Sequence, residues 1–352
     1  MFSLPLLPRT LAACERDIES KVEQVRLAVA KDLGRLGDAS NQTQRFSLLA
    51  RCLDDAAGAV RKQALLSIAD LGAIAMRDRV FGLLSDPDLA VRQMAVLTLG
   101  EIVTPDDHEV TGRLAGLLRA GSPPIRYQAL LAYANLCPDG CEEDLHLALT
   151  DSDPEIRRLA VRLIDEVLIP RNSALQGATL STLLSCAQDD DVQLALLAQL
   201  VCGELEVKAP RQLIVSVVER RMRVAEPRDE QWAIELCGRL DLTQARVGLR
   251  RRAFGRWGFS TDPFRWLALG VLARMGDSQA LDALLSQLTA RSYVKRVMAI
   301  QALGSCGRNE AWVALVAHRG RLSDAVDERV KDEQAVLDAA LLALQAERQT
   351  SV

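Results

Sequence analysis

The sequence predicts an all-α fold, a right-handed α-solenoid of about nine helical-hairpin repeats. Three observations support this fold class. Hydrophobic residues make up 49% of the 352 residues but aromatic residues only 4%, so Leu, Ala, Val and Ile must build the interior. An apolar pattern recurs every 31 to 37 residues, and an acidic turn precedes most copies of it.

The recurring pattern is centred on an arginine. Val or Ile precedes this anchor residue, Ala follows three positions later, an aliphatic residue follows seven positions later, and Gly often stands at position eleven; Arg61 with Ala64, Ile68 and Gly72 is a clear copy. Seven copies carry the arginine and two are degenerate, with Gln193 and Glu230 in its place. The arginine anchors are Arg26, Arg61, Arg92, Arg126, Arg157, Arg265 and Arg296.

Positions −1, +3 and +7 are four residues apart, which places them in one stripe on a helix. We therefore expect each anchor near the start of a helix whose apolar stripe faces the core. The small Ala at +3 would permit close approach of a neighbouring helix, and Gly at +11 would end the helix in a left-handed cap.

A second apolar segment lies upstream of each anchor and ends in an acidic turn. Examples are Ser85-Asp86-Pro87-Asp88 and Asp151-Ser152-Asp153-Pro154. Asp is a preferred N-cap residue and Pro is favoured in the first helical turn, so a new helix should begin at these turns. Each unit is thus predicted to be a helix, a short turn and a second helix.

This unit is similar to the HEAT repeat, particularly the bacterial form shared with phycobilisome-lyase-like proteins. The resemblance covers roughly residues 15–320 and implies the fold rather than one function. It also implies that the recurrent Arg and Asp residues pair between adjacent turns and hold the repeats in register. We expect residues 1–14 to form an N-terminal cap, 15–323 the repeat array, and 324–352 a capping helix and tail.

Composition favours a cytoplasmic protein without metal or cofactor, and the resemblance implies a bacterial one. The formal charge is −4, so no global field attracts nucleic acid or an anionic membrane. No run of about 18 apolar residues is present that could span a membrane. The eight cysteines lack the paired spacings of a zinc site or a redox dithiol and are interpreted as small buried hydrophobic residues.

The repeat pattern degrades between residues 208 and 265, where 13 basic residues accompany 7 acidic ones. Arginine and large aromatic residues are common anchors of protein interfaces, so this segment is the candidate partner-binding region. The alternative is a solvated basic face whose aromatic rings fold back onto helix ends; Trp232 and Trp266, nearby, are expected in the core. The candidate binding residues are Arg220, Arg221, Arg223, Arg250, Arg251, Arg252, Arg256, Trp257 and Phe259.

Catalytic patterns are sparse. The three histidines fall in separate repeats, and there is no glycine-rich phosphate loop or nucleophile elbow. Deoxyhypusine hydroxylases resemble this architecture but need several His-Glu dyads, whereas His108-Glu109 is the single one here. A HEAT-like DNA glycosylase or a phycobilin-lyase-like enzyme stays open as an alternative.

We therefore expect a non-catalytic scaffold, adaptor or regulatory subunit that binds a protein partner on the concave surface formed by the second helices. An acidic protein is one candidate for this partner. Nucleic acid is a less favoured partner. A structural subunit of a larger assembly is a further alternative, and the oligomeric state is left open.

Overall fold

The computed structural model describes residues 9–36, 41–171, 175, 177–255, 260–322 and 328–350. These residues form 20 α-helices and, among them, no β-strand. The prediction of an all-helical repeat fold is confirmed; its handedness stays a prediction. The chain divides into two compact units, residues 1–183 and 184–352.

In the first unit, first and second helices of successive hairpins alternate along the chain. Each even-numbered helix packs on the next even-numbered one, from α2 to α10, and also on its own hairpin partner. The helices are α1 (Leu11–Asp17), α2 (Glu23–Arg35), α3 (Gln42–Leu53), α4 (Gly58–Asp70), α5 (Arg77–Gly82), α6 (Leu89–Ile102), α7 (His108–Ala120), α8 (Pro123–Leu136), α9 (Glu142–Leu149) and α10 (Pro154–Leu163). A π-helical turn, Ile164–Leu168, continues α10, and α11 (Gly177–Cys186) crosses the division between the units.

The second unit repeats this alternation. Helices α12, α14, α16, α18 and α20 pack one on the next as a layer of second helices. The helices are α12 (Val192–Glu204), α13 (Gln212–Val218), α14 (Pro227–Arg239), α15 (Arg246–Phe254), α16 (Arg265–Arg274), α17 (Ser278–Gln287), α18 (Tyr293–Gly304), α19 (Asn309–Leu322) and α20 (Glu328–Thr350). The nine anchor positions fall in the nine even-numbered helices α2 to α18.

Acidic turns start the second helices as predicted. Asp88 caps α6 by accepting a hydrogen bond from the Ala90 N–H at 2.8 Å, and Asp153 caps α10 by accepting from the Glu155 N–H at 2.9 Å. Asp191 caps α12. These side chains satisfy backbone donors that the first helical turn leaves without a partner.

The predicted glycine caps are also present. Gly72, Gly276 and Gly307 have positive φ angles of 57°, 85° and 64°, a conformation that residues with a Cβ rarely adopt. Gly37, the fourth predicted cap, lies outside the described residues.

The apolar stripe of each second helix forms the core. The Ala residues at position +3 of the copies centred on Arg61, Arg92, Arg126 and Arg157 have no exposed surface, and the aliphatic residues at +7 in the first three arginine copies are equally buried. These +3 residues are Ala64, Ala95, Ala129 and Ala160, and the +7 residues are Leu33, Ile68 and Leu99.

Several pairs of neighbouring second helices approach closely at position +8, which is not part of the predicted repeat pattern. An ideal Cβ on Gly100 would lie 2.9 Å from the Ala132 Cβ, and one on Gly304 would lie 2.6 Å from the Ala340 Cβ. Gly34 faces Ser67 in the same way. Two helices can therefore pack backbone to backbone only because these residues lack a side chain.

An arginine–aspartate ladder links the turns of the first unit. Arg26 donates two hydrogen bonds to Asp55, at 2.6 and 2.9 Å, and Arg61 donates two to Asp86, at 2.8 and 2.7 Å. Each aspartate belongs to the turn of the following repeat. Bidentate pairs of this kind fix both distance and orientation, so each one sets the register of two repeats.

Second-helix arginines also donate hydrogen bonds to carbonyl oxygens of their own turn. A third nitrogen of Arg61 donates to the carbonyl oxygens of Asp55 and Ala56, and Arg92 donates to the carbonyl oxygens of Asp86 and Pro87. Arg61 therefore joins the carbonyl group of one turn to the carboxylate of the next. Arg126 pairs likewise with Asp151, whose carbonyl oxygen accepts from Arg157.

In the second unit the anchors use other partners. Arg296 donates to both carboxylate oxygens of Glu333 on α20, at 2.7 to 3.1 Å, and His318 lies 2.9 Å from Glu333. Arg265 donates to the carbonyl oxygen of Ala253. The Glu333 carboxylate is fully buried, and these contacts hold α20 against α18 and α19.

The ladder lowers the pKa of its carboxyl groups. The hydrogen bond from Arg26 holds the pKa of Asp55 below its ordinary value. Burial on its own raises the pKa of Asp86 and Asp151, but hydrogen bonds from Arg61 and Arg126, with the adjacent backbone N–H groups, outweigh it and the pKa of each is lowered.

Replacing Gly100 by Ala should destabilise the chain by about 1–3 kcal/mol, because the new methyl group meets Ala132 on the neighbouring helix. Gly112 is a matched control, since it lies inside helix α7 with no atom within 4 Å of an added Cβ. Gly112→Ala should stabilise by up to about 1 kcal/mol through helix propensity. Urea unfolding followed by circular dichroism measures both, and equal effects would contradict the close approach.

Acid should weaken the ladder. Because the folded pKa values of Asp55, Asp86 and Asp151 are lowered, the unfolded chain binds more protons below about pH 4, the usual Asp pKa. Their stabilisation is complete above that pH and is lost as the pH falls through the folded pKa values. Urea unfolding at a series of pH values should show this decline.

Asp86→Asn tests the contribution of one carboxylate to that decline. The variant should lose roughly 2 kcal/mol at neutral pH, where a charged hydrogen-bond acceptor is replaced, and should lose less than the wild type on acidification. Asp54→Asn, at an exposed carboxyl group, serves as the control. An acid profile of Asp86→Asn identical to that of the wild type would show that the ladder carboxylate is not responsible.

Candidate partner-binding surface

Three candidate arginines lie in the turn between α13 and α14. Arg220 has a positive φ of 61°, and its side chain is 58% exposed while it donates to Asp262 at 2.6 Å. Arg221 is 71% exposed and pairs with Glu219. Arg223 is exposed, and its carbonyl oxygen accepts a hydrogen bond from Gln193. These three side chains are accessible to a partner.

Helix α15 carries two more accessible arginines. Arg250 pairs with Asp277 and Gln279 on the following hairpin, and its guanidinium lies 5.3 Å from the centre of the Phe254 ring. Arg251 is exposed. The candidates Arg256, Trp257 and Phe259 lie outside the described residues.

Arg252 requires a correction, because its side chain is only 2% exposed and cannot meet an external partner. Its guanidinium donates to the carbonyl oxygens of Val218 and Val217 and also pairs with Glu230 and Asp262. All three guanidinium nitrogens thus have partners within the chain. Arg252 ties α15 to α13 and to the segment before α16.

Several other basic residues of segment 208–265 are likewise neutralised or saturated. Arg239 pairs with Glu204, which also accepts a hydrogen bond from the Trp232 indole N–H at 2.9 Å. Arg211 donates to backbone carbonyl oxygens, and its burial lowers its pKa. Many of the basic charges counted in the sequence are therefore paired within the chain. The positive charge that a partner would meet is smaller than the residue count suggests.

A different feature appears on the outward face of the second helices. Positions +3, +4 and +7 of each copy point into the core, and positions +2, +5 and +9 lie roughly 180° away around the helix. In the first unit, position +5 is occupied by Leu66, Leu97 and Leu131, which are exposed or half-buried. The second helices thus keep aliphatic side chains on the face turned away from the core.

In the second unit this face contains an open groove of about 450 Å³. Its walls come from the start of α16 and from α18, with one residue of α14. They are formed by Gln231, Phe264, Trp266, Leu267, Met298 and Gln301. Pockets that bind small ligands measure roughly 300–1,000 Å³, so the groove can hold one or more side chains of a partner.

The groove exists because small residues lie between its walls. An ideal Cβ on Gly270 would come within 2.8 Å of the Ala302 carbonyl oxygen and 3.3 Å of the Ser305 hydroxyl oxygen, so α16 and α18 pack closely there. Ala302 and Ser305 line the groove without filling it. Trp266 stands at the edge as a half-buried ring with the Arg265 guanidinium 5.3 Å from its centre.

The sequence analysis missed this groove and expected Trp266 in the core. A signal was nevertheless present. Position +2 carries a large apolar residue in three consecutive second helices, Trp232, Leu267 and Met298, and +2 is an outward position.

The cysteine side chains outside this surface belong to the packed interior. Seven of the eight cysteines are buried, as predicted, and Cys137 is half-buried. Burial raises the pKa of Cys52 and of Cys237 to about 12 each. Within the described ranges, no group of three or more His, Cys, Asp or Glu side chains is placed to hold a metal ion.

The comparisons with known proteins concern the fold. The X-ray structure of the Escherichia coli protein YibA matches with 15% sequence identity and a TM-score of 0.42, over 91% of this chain and 98% of that one. No curated protein matches the sequence. Among the described helices, none is both long enough and apolar enough to cross a membrane.

The family described as HEAT repeats matches residues 46–134, a stretch that begins in α3 and ends in α8. This stretch contains the pairs of Arg61 with Asp86 and the contact of Gly100 with Ala132. The hairpin architecture and the repeat match agree over this stretch, and residues 46–134 consist of HEAT repeats.

Proposed function

We propose that this chain is a non-catalytic scaffold, adaptor or regulatory subunit that binds a protein partner on the outward face of its second helices. The groove between α16 and α18 is the observation that carries the proposal. It combines an aromatic wall, Trp266, with aliphatic and thioether side chains, and such residues are typical of interface hot spots.

The rest of the fold supports this role. Repeat proteins stack hairpins so that each contacts only its neighbours, which leaves a face of second helices available within each unit. Leu66, Leu97 and Leu131 place aliphatic groups on that face in the first unit. A bacterial, cytoplasmic setting is part of the proposal.

The accessible arginines should contribute less to the proposed interface than the groove does. Arg220, Arg221 and Arg223, at the turn before α14, belong to the polar rim of the proposed interface, whereas Arg250 and Arg251 lie on α15 in the first-helix layer. Most of these side chains already pair within the chain. Rim charges of this kind mainly influence association rates and specificity, so the groove should contribute more of the affinity.

Met298→Asp tests the groove directly, because it places a carboxylate among apolar walls. Capture of partner proteins from native cell lysate by the immobilised full chain, quantified by mass spectrometry, should fall at least about tenfold, the effect of losing roughly 1.4 kcal/mol of binding energy.

Val247→Asp is the matched control, since Val247 is an apolar residue of the same unit with 63% exposure on the first-helix layer, in α15. It should leave capture unchanged. Circular dichroism must show equal helicity for both variants. Equal capture by Met298→Asp and wild type, or no specifically captured protein at all, would contradict the proposed function.

A further inference from the structure

We infer that the occupant of the groove is a peptide segment of a partner protein that inserts an aromatic or aliphatic side chain and flanks it with carboxylates. This inference rests on the proposed function and adds the chemistry of the partner. It follows from the walls of the groove and from the charges around it.

The walls select an apolar anchor. Phe264, Trp266, Leu267 and Met298 contribute rings, an isobutyl group and a thioether, and none of these side chains carries a formal charge. Burial of an aliphatic or aromatic side chain here removes apolar surface of both molecules from water, at roughly 25 cal/mol per Å². A charged side chain in the same place would lose its hydration without gaining a counter-charge from the walls.

The rim is basic on three helices. Arg228 lies one turn before the wall residue Gln231 on α14, and Lys295 lies one turn before Met298 on α18; both side chains are exposed. Between them, Arg265 stands over the Trp266 ring at the start of α16.

Another cation lies at the end of the groove nearest the C-terminus of α16. Arg274, in the last turn of α16, donates to the Ser305 carbonyl oxygen at 3.0 Å. Glu235 opposes these charges from α14, where it accepts a hydrogen bond from Gln231 at 2.9 Å. Two further carboxylates next to the wall residues, Glu230 and Asp262, already pair with Arg252. The basic side chains around the walls should therefore attract carboxylates on the partner and repel ammonium groups.

The orientation of the helices adds to this field. Helices α14, α16 and α18 begin at the end of the groove where Arg228, Arg265 and Lys295 lie. The N-terminal ends of helices carry partial positive charge. An acidic side chain that follows the apolar anchor toward this end would gain from both sources.

A selection experiment tests the inference with the full chain. The immobilised protein is used to select from a random-peptide phage library, and the enriched sequences are made as fluorescein-labelled peptides. Anisotropy titrations then measure binding of each peptide, of a copy with the apolar anchor changed to Ala, and of a copy with Asp and Glu changed to Asn and Gln. We expect enriched peptides to share an apolar anchor with acidic neighbours.

Each change should weaken binding at least about tenfold, and affinity should decline as salt is raised, because exposed charges are screened. Lys295→Glu should weaken the acidic peptides at least tenfold and leave the amide copies unaffected. Lys208→Glu makes the same charge change at an exposed lysine between α12 and α13, outside the groove, and should have little effect.

The outcomes separate the two proposals. Enriched peptides that are uncharged or basic, and that still lose binding in Met298→Asp, would overturn the acidic partner and retain the groove as a binding site. Peptides that bind Met298→Asp and wild type equally would overturn both. Binding of duplex DNA in place of peptides, abolished by Lys295→Glu, would likewise overturn the inferred partner chemistry.

Discussion

The bidentate pairing of a second-helix arginine with the turn aspartate of the next repeat is the interaction on which the first unit depends. Arg26 and Arg61 each join one turn to the next through two charge-assisted hydrogen bonds, and Arg61 also holds the carbonyl groups of its own turn. These groups are largely buried, so removal of either partner leaves a charge without compensation. The pair of Arg26 with Asp55 joins the same two repeats whose second helices meet where Gly34 faces Ser67.

This register divides each second helix into an inward and an outward face. The inward positions are filled by Ala and aliphatic residues, and the lateral positions by Gly or other small residues such as Gly100 and Ala132. Most of the outward positions contribute less to the packing of the helices, with Gly270 as an exception. At this face, in the second unit, Trp266 and Met298 border the groove, and Ala302 lines it without filling it. The proposed binding surface and the core thus use different positions of the same helices.

The repeat could be predicted from the sequence because its period, caps and apolar stripes are local patterns. Asp88 and Gly72 mark a helix start and a helix end by chemistry that acts over a few residues. The groove could not be predicted this way, because it depends on how closely α16 and α18 approach. The charge count also gave a wrong prediction for Arg252. The other two arginines of its run are exposed, whereas Arg252 is buried among carbonyl groups. Only three-dimensional packing distinguishes these three residues.

A double-mutant cycle on Arg61 and Asp86 tests the central claim most directly. Unfolding free energies of both alanine variants and of the double variant yield the coupling between the two side chains. We predict a coupling of roughly 2–3 kcal/mol, because the side chains are 12% and 4% exposed. The pair of Arg79 and Asp54, 55% and 67% exposed, should couple by less than about 1 kcal/mol. Equal coupling for the two pairs would contradict the account.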